Sequence, residues 1–146
     1  MVGDGAGGVR EGRAHPNVRL LEAFYHAQAA FYAGGDDAAD LRGLLADDIV
    51  WHVPGRSPIA GHYHGHQEVL GYFGARRAHA KATFRVLPRT ILADDQRAVH
   101  LADGQLERDG QLRTWQTVGV FRIAGGKIAE CWLVPFDQPL FDELWS

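Results

Sequence analysis

Eight histidines are many for 146 residues, and three of them, His62, His64 and His66, alternate through the segment GHYHGH. In an extended chain all three imidazoles would point the same way, as metal ligands or as proton carriers. The spacing matches no recognised zinc pattern and no fourth ligand is signalled, so no metal is expected. Gly61 and Gly65 read instead as a turning loop, with His66 opening the helix that follows. His62 and His64 are then the catalytic candidates, because an imidazole at a cavity mouth can exchange protons near neutral pH. The plainer alternative for both is a solvated loop histidine. His52 lies out of phase with Trp51 and Val53 and should face away from the interior. His100 lies mid-strand, with its face undetermined. Cys131, beside Glu130, lacks the positive surroundings of a reactive thiolate. Asp137 reads as the cap of a terminal turn. No Ser-His-Asp order, phosphate-cradling loop or dinucleotide fingerprint is present.

The elements that must position these groups follow from hydrophobic period. Residues 1–15 are Gly-rich with little apolar bulk and read as a flexible tail, leaving 16–146 as one domain. After His15-Pro16-Asn17, the residues Val18, Leu21, Phe24, Tyr25, Phe31 and Tyr32 form one helical stripe that stops at Gly34-Gly35. Gln28 falls on that stripe, where an amide needs a partner or a cavity. A second helix fits 36–45, with Asp36 or Asp37 as its N-cap and Leu41, Leu44 and Leu45 inward. DIVWHVP at 48–54 is a strand, GRSPIAGHYHGH a long ordered loop, and 67–80 a helix weakened by Gly71 and Gly74. Strands near 83–93, 97–107, 112–123 and 127–134 form a meander, followed by a short amphipathic tail at 137–145. Helices ahead of an antiparallel sheet argue for an α+β domain whose concave side encloses space.

Composition narrows the function classes. Fifteen basic against eighteen acidic residues, mixed along the chain, leave no nucleic-acid footprint. No run approaches the roughly 20 apolar residues of a membrane span, and the amino terminus is too polar for a signal peptide. One cysteine excludes an intrachain disulfide framework, so the cytoplasm is the expected compartment.

LADDIVWHVPG at 45–55, the Gly61 to Gly65 loop, FRIAGGKIAECW at 121–132 and DQPLFDELWS at 137–146 occur in order at matching separations. In these, and in its helix–helix–strand order, the chain from about Asn17 to Ser146 resembles the nuclear transport factor 2-like superfamily, in its SnoaL-like and ketosteroid-isomerase-like branch. The resemblance implies a cone-shaped barrel of a curved mixed, mainly antiparallel sheet, with about three N-terminal helices on its concave face. It also implies a deep pocket and a homodimer formed through the sheet. Carried over residue by residue, the isomerase's aspartate base falls on Val53 and its proton-donating aspartate on Gly119. Its oxyanion-binding tyrosine falls on Gln28 or Ala29. Neither valine nor glycine moves a proton, so the resemblance supports the architecture and argues against that mechanism.

The same alignment, with the two-residue strand period, selects the inward side chains. They are Trp51 and Val53, then Trp115, Thr117, Gly119 and Phe121, with Tyr25, Gln28, Tyr72 and Phe73 from the helices. Trp132 joins them if the Gly125-Gly126 turn is a two-residue loop, and Cys131 replaces it if the loop has three; Trp132 is the expectation. The result would be a hollow walled by aromatic rings and nearly free of ionisable groups. It suits a small hydrophobic, polyketide- or steroid-like molecule, handled by a cofactor-free isomerase, cyclase or hydrolase. The alternative is a non-catalytic ligand-binding or dimerisation module.

Overall fold

A computed structural model of the chain describes residues 15–34 and 38–146. The tail expected at the amino terminus and the N-cap expected at Asp36 or Asp37 lie outside the described residues, apart from His15. That residue begins the fold: its Nδ1 accepts from the Asn17 amide at 3.1 Å and caps α1, Pro16–Tyr32. Pro16 stands at the first turn, where its missing N–H costs nothing. Val18, Leu21, Phe24, Tyr25, Gln28, Phe31 and Tyr32 are all buried, so the stripe faces the core. Gly34, with φ of +101°, ends the helix in the left-handed region.

α2 spans only Ala39–Leu44, because Leu45 already belongs to β1, Leu45–Val53. Ile49, Trp51 and Val53 point into the core from β1, as the two-residue period requires. The expected loop after Pro54 contains a strand, β2, Gly61–His64. It folds back on β1 with Trp51 opposite Tyr63 and His52 opposite His62. Ladder hydrogen bonds to β1 satisfy the β2 backbone, which outweighs the Gly and Pro content that suggested irregular structure. α3, Gly65–His79, buries Val69, Tyr72, Phe73 and Arg76 at helical spacing.

The meander follows as β3, Arg85–Ala93; β4, Arg97–Arg108; β5, Gln111–Ala124; and β6, Lys127–Pro135. α4, Gln138–Leu144, closes the chain, capped by Asp137 Oδ1, which accepts from the Leu140 amide at 3.0 Å. The sheet runs β2-β1-β6-β5-β4-β3, with β1 parallel to β6 and every other pair antiparallel. It is the expected mixed, mainly antiparallel sheet with helices against one face. It stays open, with β2 and β3 as edges, and is not a closed barrel. Among the described residues no helix is long and apolar enough to cross a membrane.

One register detail redirects a side chain. Gly125 and Gly126, both at positive φ, form the two-residue turn that pairs Ala124 with Lys127. The ladder then slips between Ile123 and Arg122, leaving Ala129 as an extra residue on β6. Cys131 therefore lies opposite Phe121 on the buried face, and Trp132 opposite Val120 on the outer face. The expectation that Trp132 lines the interior is overturned by this bulge.

Candidate functional site

Between α1, α3 and the inner face of the sheet lies a cavity of about 30 Å³. That is room for a water or a small polar group rather than a whole ring. The expected hollow is thus nearly filled. Trp51 packs on Phe24, Phe73 and Phe121 at ring separations of 5.7, 5.1 and 6.0 Å, and Trp115 lies parallel to Phe84 at 5.9 Å. Six of the expected lining residues border the cavity: Tyr25, Gln28, Trp51, Trp115, Thr117 and Phe121. Tyr72 and Phe73 are buried one layer behind, against Trp51. Val53 is buried nearer the β1–β2 hairpin and is not part of the wall. A groove of about 280 Å³ adjoins the cavity between α1 and the start of β3, and Tyr25, Gln28, Phe84 and Val86 border both spaces.

Two ionisable side chains that alternation and the family pattern did not select stand in the wall: His100 and Arg76. His100 shares the inward phase of β4 with Ala98, Ala102 and Leu106, and that phase was the signal available for it. Its ring lies flat against Tyr25 at 5.0 Å, and Nε2 meets the Tyr25 hydroxyl at 3.2 Å. Nδ1 is buried with no partner. Gly119 makes the position possible: it lies opposite His100 on β5, and a Cβ there would sit 2.5 Å from His100 Nε2. The imidazole occupies the space that a side chain at Gly119 would take. A reciprocal pair lies further along, where Gly104 on β4 makes room for the Trp115 indole on β5.

Burial lowers the His100 pKa from 6.5 to about 4. Above pH 6.5 the ring is neutral in folded and unfolded chains alike. As pH falls through 6.5 the unfolded chain takes up a proton that the folded chain refuses until about pH 4. Stability is therefore expected to drop across that window by about 3 kcal/mol from this residue, then level off. Urea midpoints of wild type and His100→Gln between pH 7 and pH 4 check the sign. The variant should lose most of the slope, and equal slopes would contradict the burial argument.

The two histidines expected at the mouth are elsewhere. The β1–β2 ladder sets His62 beside His52 on the outer face, with their Nδ1 atoms 2.7 Å apart. His52 Nε2 donates to Glu130 Oε2 at 2.6 Å, and the Trp132 ring stacks on His52 at 5.4 Å. The His52 and Arg122 hydrogen bonds hold the Glu130 carboxyl below the usual carboxylate range. His64 is exposed on the same face, while His66 Nε2 turns to the Leu45 carbonyl at 2.9 Å. The three imidazoles of GHYHGH do not converge, and neither His62 nor His64 reaches the cavity. Tyr63, between them, is the inward residue, stacked on Tyr72 at 4.7 Å. The Cys131 thiol is pushed well up by burial.

Comparison with known proteins matches the SnoaL-like domain family to residues 21–131. The uncharacterized protein Rv0034 of Mycobacterium tuberculosis is 26% identical over 119 residues, 81% of this chain and 89% of its own length. Among solved structures, Bal32a, from a soil-derived mobile gene cassette, superposes with a TM-score of 0.80 at 27% identity. The match covers 92% of this chain and 99% of Bal32a. TerC, co-crystallized with polyporic acid, superposes with a TM-score of 0.73 at 20% identity, covering 88% and 97%.

Proposed function

From the premise that this chain belongs to the SnoaL-like domain family, we propose that it takes up a small, flat, largely apolar molecule and moves a proton on it without a cofactor. The molecule's body lies in the groove between α1 and β3, and its reacting end enters the cavity. The observation that carries this reading is the Tyr25–His100 pair, buried among aromatic rings with His100 Nδ1 unpartnered. With its proton on Nε2 and given to the Tyr25 oxygen, the imidazole offers a free lone pair at Nδ1. A proton taken from a carbon next to a carbonyl leaves the electron pair on the carbonyl oxygen as an enolate. The same group then returns the proton at another position. TerC, which shares this fold and was co-crystallized with polyporic acid, supplies a second probe for this reading. We place the protein in the cytoplasm, where the buried Cys131 remains a thiol.

Uptake without turnover is the second reading, and one observation favours it. Val53 and Gly119 stand where the isomerase-type aspartates would fall, and no described carboxylate borders the cavity. One experiment separates the two. 2-Tetralone, a flat ketone with acidic C–H bonds, is incubated with the protein in D₂O and followed by NMR, while tryptophan fluorescence reports binding. Catalysis predicts exchange at least tenfold faster than in buffer, lost in His100→Gln and reduced in Tyr25→Phe. Binding with no exchange supports the second reading. Binding of neither tetralone nor polyporic acid overturns both.

The homodimer through the sheet is likewise our proposal. On the outer face, Leu101, Val118 and Val134 align across β4, β5 and β6, and Leu92, Val99, Val120 and Trp132 form a second row. Leu92 is 64% exposed and Val134 49%, which is costly for a face left in water. The chain is expected to sediment as a dimer at micromolar concentration, and Val134→Glu with Leu101→Glu to make it a monomer. A monomeric wild type would refute this.

A further inference from the structure

Arg76 lies on the buried face of α3, 5% exposed, and borders the same cavity as His100. Its Nε and Nη2 are buried without hydrogen-bond partners, and it forms no ion pair with any described residue. What surrounds it is aromatic: the guanidinium sits 4.5 Å from the centre of the Tyr72 ring, 4.8 Å from Phe84 and 5.2 Å from Phe73. Ring faces attract the charge but accept none of its in-plane N–H bonds. A buried lysine or histidine could give up its proton, but a guanidinium keeps its own. The Tyr32 hydroxyl also lies within reach of the guanidinium, but the interior still carries a permanent positive charge with no acceptor for Nε or Nη2. Such an arrangement costs stability and is expected only where something else completes it.

We propose that the completing group is an anion on the ligand, a carboxylate, phenolate or enolate oxygen, received by Arg76 inside the cavity. This deepens the uptake reading above and rests on it. The sizes agree: about 30 Å³ beside Arg76 admits a carboxylate-sized end, and the groove of about 280 Å³ beyond Tyr25 and Phe84 admits the apolar body. The charges agree too. Arg85 borders the groove, and no described acidic residue borders either space. A planar guanidinium grips a carboxylate through two parallel N–H bonds, so it would fix orientation as well as charge. A reaction that builds negative charge on a carbonyl oxygen would find the same donors waiting.

The test compares 2-naphthoate with 2-naphthamide, nearly identical in shape but differing in charge, by tryptophan fluorescence titration of the full chain at pH 7.5. Naphthoate is expected to bind at least tenfold more tightly than the amide. Arg76→Gln should weaken naphthoate alone and bring the two within twofold, while Arg76→Lys keeps part of the preference. Circular dichroism establishes that each variant is folded; where Arg76→Gln is not, the wild-type and Arg76→Lys ratios decide. Equal binding of both probes overturns the anion assignment and leaves the uptake reading standing. A preference that survives Arg76→Gln also overturns it. Failure of both probes to bind at millimolar concentration overturns uptake and anion together.

Discussion

Gly119→Asp, which introduces an acid at the position the resemblance to the isomerase branch would give one, is expected to destabilise this protein by about 4 kcal/mol. A Cβ at this position would lie 2.5 Å from His100 Nε2, 2.7 Å from its Cδ2 and 2.9 Å from Phe121 Cε1. Both rings are held by what packs on them: His100 by Tyr25 at 5.0 Å, and Phe121 by Trp51 at 6.0 Å. The imidazole must swing away, which breaks the 3.2 Å contact with the Tyr25 hydroxyl. The carboxylate that follows then enters a space walled mostly by rings. Gly119→Ala isolates the steric part, expected at about 2 kcal/mol. Adding His100→Ala should recover much of the loss in either variant, because removing the imidazole removes the clash. Urea unfolding of the singles and the double completes the cycle. Strictly additive costs would show that the clash is not the cause.

Trp51→Ala is expected to lose about 3–5 kcal/mol, as deletion of a fully buried aromatic does where the surroundings relax only in part. Trp51 is 1% exposed and touches rings from α1, α3 and β5, so its removal loosens three elements at once. Its indole Nε1 has no hydrogen-bond partner. Trp51→Phe therefore gives up volume but also removes an unpaired donor, and should cost well under half as much. Denaturant midpoints at constant m check both values. A loss below about 1 kcal/mol for Trp51→Ala would mean that the core is far looser than these ring distances imply.

The first helix was legible because its stripe from Val18 to Tyr32 is long and strictly spaced, and a stripe of that kind can be buried in only one way. The β1 phase was legible for the same reason: Ile49, Trp51 and Val53 are all inward. Of the cavity wall, Tyr25, Gln28, Trp51, Trp115, Thr117 and Phe121 were in reach of period and resemblance together. Arg76 was not selected, although it continues the Val69, Tyr72, Phe73 stripe, and an arginine on an apolar stripe was the signal it offered. The face of His100 is ambiguous locally because β4 carries apolar residues on both sides, Ala98 and Ala102 on one and Val99 and Leu101 on the other. Trp132 faces outward, contrary to its local phase, because Ala129 bulges, and one extra residue reverses every side chain after it. His62 and His64 lie away from the cavity because ladder pairing with β1, a contact between separate segments, overrides the irregularity that their flanking glycines suggest.

By itself, then, the chain determined element order, helical and strand phases, and the aromatic character of the interior, since these follow from spacings within a few residues. Only the tertiary structure decided which groups meet. It set His100 over Gly119, left Arg76 among rings without an acid, turned Trp132 outward and filled all but about 30 Å³ of the expected hollow. Those outcomes depend on register across strands and on packing between elements far apart in sequence, and local period carries no information about either.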